Sequence, residues 1–115
     1  MQTNKDLLIR ANEAVAAGRY EEFLSYCDEE SIWTFVGDEI LEGKDLIRSY
    51  MEKTYIEPPV FDVDELIAEG DYVTAVGKIT LTDAHKNRTV YDYCDVWQVK
   101  QGKLFALKAF VIERT

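Results

Sequence analysis

Histidine all but fails to occur in this sequence: among 115 residues there is one, His85. Cysteine and proline are nearly as scarce, with two of each. These shortages exclude chemistry before any pattern is read. His85 lies in a polar loop with Lys86 and Arg88. It reads as a solvated side chain and cannot supply the ordered serine, histidine and aspartate of a nucleophilic triad. Cys27 and Cys94 stand far apart, with no CxxC spacing and no histidine nearby, so a metal site is not expected. Both read as small buried hydrophobes.

Positive charge is short as well. Thirteen Lys and Arg face 22 Asp and Glu, a formal net charge of −9. Such a surface repels phosphate backbones and anionic lipid, so neither nucleic acid nor membrane is an expected partner. No apolar run approaches the ~20 residues of a membrane span, and no leader-like segment opens the sequence, so a cytoplasmic location is the expectation. Gly70 and Gly77 lack the strand-turn-helix context of a phosphate loop. Asp62, Asp64 and Glu65 lack the glycine and terminal glutamate of a calcium loop and read as solvated strand. No metal and no cofactor is expected.

What is present suits one packed domain spanning residues 1–115. Hydrophobic residues make up 47% and aromatics 12%. A chain of this size buries about two-thirds of its unfolded surface and needs no metal or disulfide to hold it. Leu7, Leu8, Ala11, Ala14 and Val15 recur at three- and four-residue spacing, which predicts a helix from Thr3 to Ala17. Thr3 with Asp6 forms a capping-box-like start and Gly18 a stop. A second helix is expected from Tyr20 to Tyr26 and a strand from Ser31 to Val36. A very short strand at Ile40-Leu41 and a third helix from Lys44 to Tyr55 follow, the helix ended by Pro58-Pro59. The second half alternates with period two. Val60–Glu69, Tyr72–Thr82, Thr89–Lys100 and Lys103–Glu113 read as long strands, with Gly70-Asp71 and Gln101-Gly102 as hairpin turns.

This order resembles the nuclear transport factor 2-like superfamily, which includes SnoaL-like polyketide cyclases, ketosteroid isomerases and scytalone dehydratase. Three stretches carry the resemblance. They are Gly18 with Tyr20 to Asp28 and Trp33; Leu41-Glu42-Gly43-Lys44-Asp45-Leu46-Ile47; and Asp92 to Val99 followed by Gly102-Lys103-Leu104. The implied fold is α+β. Three N-terminal helices pack in the concave face of a curved, mostly antiparallel sheet, a cystatin-like cone or α+β roll. Such a scaffold hosts unrelated activities, and the motifs are not themselves catalytic.

Strand alternation then assigns faces. If Asp95 faces the cavity, so do Tyr91, Tyr93, Trp97 and Val99, with Phe105, Leu107, Ala109 and Val111 across the turn. Val73, Ala75, Gly77, Ile79 and Leu81 point inward from the preceding strand. Ala75 and Gly77 either leave room for a ligand or ease sheet curvature. The other face carries Tyr72, Thr74, Val76, Lys78, Asp92, Cys94, Val96, Ala106, Lys108, Phe110 and Ile112, a set too apolar for a solvated face and of the kind that marks an interface. The family pairs through this face, which implies a homodimer.

Asp95 is the candidate catalytic residue. An acid between Tyr93 and Trp97 is poorly solvated, which raises its pKa and lets it donate a hydrogen bond to a developing oxyanion. It aligns with the neutral aspartic acid of ketosteroid isomerases. The alternative is a structural acid bonded to a tyrosine or to Arg10. The general base of that family falls at Thr34, which cannot take a carbon-bound proton, and its first-helix tyrosine falls at Arg10 or Ala11. Ketosteroid isomerisation is therefore not expected. Thr34, Tyr26, Tyr50, Tyr93, Trp97, Phe105, Leu107, Ala75 and Gly77 form the expected pocket around Asp95. Trp33 is expected at the base of its strand or at the dimer face. Three functions stay open: an isomerase, cyclase or dehydratase acting on a small hydrophobic, oxygenated molecule; a non-catalytic binder of such a molecule; and a dimeric interaction module.

Overall fold

The computed structural model describes residues 3–114. Helix α1 (Asn4–Ala16) opens with the expected capping box: the Asp6 backbone N–H donates to Thr3 Oγ1 and the Thr3 N–H donates to the Asp6 carboxylate, each at 3.1 Å. Two orphan donors of the first turn are thereby satisfied. Its buried stripe is Leu7, Leu8, Ala11, Ala14 and Val15. Helix α2 (Tyr20–Ser25) buries Phe23 and Leu24, and α3 (Lys44–Thr54) buries Ile47 and Met51. No described helix is long and apolar enough to cross a membrane.

The six strands are β1 (Cys27–Phe35), β2 (Ile40–Glu42), β3 (Val60–Glu69), β4 (Tyr72–Thr82), β5 (Arg88–Lys100) and β6 (Lys103–Glu113). They form one sheet in the order β2-β1-β6-β5-β4-β3. Every pairing is antiparallel except β1 with β6. Strand β1 begins four residues before the expected Ser31, because Cys27 pairs with Leu104 of β6 ahead of a register shift.

The helices lie over the flanks of this sheet. Helix α1 packs on β3 and β4, and α3 on β1 and β2. The middle strands, β5 and β6, therefore face the gap between helices. The deep end of that gap is filled: Phe23, Trp33 and Trp97 are buried and meet edge to face, with centroids 5.8 to 6.5 Å apart. Toward the other end the packing thins and a cavity opens.

Candidate functional site

The pairing registers build the site layer by layer. Trp97 of β5 stands opposite Leu107 of β6, which in turn stands opposite Trp33 of β1. The next layer sets Asp95 between Ala109 of β6 and Ala75 of β4, with Phe35 beyond Ala109. Above it Tyr93 lies between Val111 and Gly77, and then Tyr91 opposite Ile79. Asp95 is thus flanked by two methyl groups in a wall otherwise made of large side chains. On the Ala109 side a hollow of about 380 Å³ reaches the acid, closed at Phe23 and Trp97 and open at Asp38 and Val111.

The carboxyl of Asp95 borders this hollow and keeps part of its surface accessible to it. No described residue forms an ion pair with it. No described donor hydrogen-bonds to it either. Burial without compensation pushes its pKa from the ordinary 3.8 up to about 7, since low polarity disfavours the charged form. Arg10 is exposed on α1, so the reading of Asp95 as a structural acid paired with that guanidinium does not describe this protein.

Two further buried polar atoms lack partners among the described residues: the Tyr93 hydroxyl and the Trp33 indole nitrogen. Both side chains line the hollow. Burial raises the pKa of the Tyr93 phenol, and the nearby Asp95 adds to the effect. Tyr55 faces the same space from the end of α3, and its phenol is held well above the ordinary range by burial, then by Tyr50 and Asp95. Near neutral pH the Tyr93 and Tyr55 phenols therefore stay protonated, while Asp95 stands between its neutral and its charged form.

The expected pocket residues divide. Tyr50, Tyr93, Asp95, Trp97 and Leu107 line the hollow together. Thr34 does not: it alternates with Trp33 and Phe35, which take the inner face of β1, and so turns to the other side. Tyr26 caps α2, and its hydroxyl donates to Glu22 at 3.3 Å, away from the cavity. Phe105 is displaced by a bulge. The β5–β6 register slips between Gln98 and Val99, pairing Val99 with Leu104, so Leu104 is buried and Phe105 stacks beneath Lys100 at 4.6 Å. Ala75 faces inward, but beside Asp95 under the helices rather than on the cavity wall. Gly77 is small because its antiparallel neighbour β3, whose register shifts between Val63 and Glu65, comes close over it: a Cβ there would collide with the Asp62 carbonyl oxygen and meet Val63 Cα at 2.9 Å. Trp33 belongs to neither expected place, being buried on the inner wall.

Several wall residues escaped the sequence reading. Asn12 sits four residues after Leu8 and three before Val15, at the rim of the buried stripe of α1. A polar residue at helical spacing inside an apolar stripe was the available signal. Phe61 and Asp38 had none, since each reaches the cavity only through the curl of the sheet and the β1–β2 turn.

The family model of the SnoaL-like domain matches residues 8–107. No curated protein sequence matches the chain. Among solved structures, an epoxide hydrolase/cyclase-like enzyme in pyran ring formation of the polyether salinomycin is 20% identical with TM-score 0.87, over 96% of this chain and 94% of that one. An NTF2-like protein of unknown function from Burkholderia pseudomallei is 16% identical with TM-score 0.84, over 96% and 92%. A putative ketosteroid isomerase from Kribbella flavida is 17% identical with TM-score 0.82, over 96% and 78%. At such identities the likeness is one of fold.

Proposed function

This chain belongs to the SnoaL-like domain family, and from that membership together with the site geometry we propose that it acts on a small, hydrophobic, oxygenated molecule with Asp95 as the acid. The reaction class is isomerisation, cyclisation or dehydration. One observation carries the reading: an unpartnered carboxyl, its pKa near 7 through burial, borders a hollow walled by aromatic rings. A protonated Asp95 donates to a carbonyl, hydroxyl or epoxide oxygen as negative charge builds there, and the donor is placed before the reaction begins. Tyr50, Tyr93 and Trp97 orient the ring system and keep water out. The fold likeness to a cyclase-like enzyme of pyran ring formation supports ring chemistry as the first class to try. Asp38, the second carboxylate on the wall, sits at the mouth where it is exposed.

The test is conversion of a panel of oxygenated ring ketones, epoxides and secondary alcohols, followed by mass spectrometry. The wild type converts a member of the panel; Asp95→Asn binds it but turns it over at least a hundredfold more slowly. Undiminished turnover by Asp95→Asn would remove the acid role. Ligand-dependent thermal stabilisation without any product would instead support the second reading, a non-catalytic binder.

The outer sheet face supports a further part of the proposal, that two copies pair through it. Tyr72, Phe110 and Ile112 are 50%, 41% and 68% exposed, and on a solvated strand face such side chains are normally polar.

A further inference from the structure

The charges bordering the cavity have one sign. Asp95 lies midway along it and Asp38 at its mouth. Among the described residues no lysine, arginine or histidine lines the hollow. The other titratable groups on its wall are Tyr50, Tyr55, Tyr91 and Tyr93, none of which is cationic in any state. From β3, Asp62 adds negative potential near Tyr93, as does Asp64, whose carboxylate is partly offset by Lys78 at 3.6 Å. The chain as a whole carries −9.

An anionic group entering this space loses its water and meets no compensating cation, which is among the most costly events in a protein interior. The aromatic walls add to the cost, because ring faces are electron-rich and repel anions as they attract cations. An uncharged oxygen has no such difficulty. The unpartnered Tyr93 hydroxyl and the Trp33 indole N–H, both on side chains 4% exposed, are donors that an uncharged acceptor can satisfy.

We infer that the cavity selects ligands by charge: it takes uncharged ring molecules bearing a hydrogen-bond acceptor, and excludes molecules of the same shape whose buried end carries a carboxylate or phosphate. This deepens the function proposed above and rests on the cavity being the binding site, but not on any catalytic step.

Matched probes test it by calorimetry on the full chain at about pH 7.5: 2-naphthalenemethanol as the uncharged member and 2-naphthoate as the anion. The alcohol binds, and naphthoate binds at least thirtyfold more weakly. In Asp95→Asn the gap narrows by threefold or more, because one of the two negative charges has gone. Naphthoate binding to the wild type as tightly as the alcohol would overturn the inference and leave the acid role of Asp95 standing. Failure of the alcohol to bind would overturn it too. The expected order of affinities together with full turnover by Asp95→Asn would sink the acid role and leave charge selection intact. The comparison of wild-type affinities decides the matter even if the variant folds poorly.

Discussion

Ala109 stands directly across the β5–β6 ladder from Asp95. With Ala75 in the same position on the β4 side, it makes the carboxyl the tallest group in its layer of the central strands. On the β6 side the hollow reaches the acid because a methyl group stands where a larger side chain would have touched it. Access to the carboxyl is therefore a property of its neighbours as much as of Asp95.

Ala109→Leu should close that access. The added atoms would enter the hollow, so the overpacking cost should fall at or below the usual ~1–3 kcal/mol. Binding of an uncharged ring ligand should weaken roughly tenfold or more. Calorimetry beside a thermal melt checks both. Retained affinity in a folded variant would show that the ligand sits elsewhere.

Stability should depend on pH through Asp95. Its pKa rises from 3.8 in the unfolded chain to about 7 in the folded one. Between those values the folded state holds a proton that the unfolded chain has released. Stability is therefore greatest below the unfolded value, falls as pH rises toward about 7, and stays reduced above it. Asp95→Asn removes this loss. The variant should gain up to a few kcal/mol over the wild type at about pH 8, and much less at about pH 5. Urea midpoints at the two pH values measure the difference; an equal gap at both would contradict the uncompensated burial.

Turnover should follow the same group in the same direction. If the protonated acid is the working form, kcat/KM declines as pH rises through about 7. A profile flat from pH 5.5 to about 8.5 would argue against Asp95 as the acid.

Gly77→Ala should destabilise without touching the cavity wall. Its Cβ would collide with the backbone of Asp62 and Val63, and backbone cannot rotate aside as a side-chain tip can. A loss of about 1–3 kcal/mol is expected, with ligand affinity nearly unchanged. Wild-type stability in this variant would mean that β3 moves freely.

The outer face can be tested through association state. Phe110→Lys with Ile112→Lys places two like charges per copy on the proposed contact. Sedimentation should show a dimer for the wild type and a monomer for the variant, with the melt little changed. A monomeric wild type would end the pairing proposal.

Much of the architecture was legible in local pattern. The stripe of α1, the stop at Gly18, the cap at Thr3 and the hairpin turns at Gly70 and Gly102 each come from a short run of residues with its own physical signature. The inward side of β4 and most of β5 followed from alternation, and alternation failed where a bulge intervened. Phe105 was assigned to the cavity because a period of two was carried across a register slip. Thr34 was assigned through family position, whereas Trp33 and Phe35 are the side chains that β1 turns inward.

The sequence by itself determined the element order, the faces of the regular stretches and the presence of an acid among aromatics at position 95, because period and composition act over a few residues. Only the tertiary structure decided that Asp95 has no partner among the described residues, that Gly77 is small for the sake of its neighbouring strand β3, and that Asn12, Tyr55 and Phe61 share one wall with Asp95. Those outcomes depend on how the sheet curls and where the helices rest, so they are set by contacts between residues far apart in the chain, which no local pattern encodes.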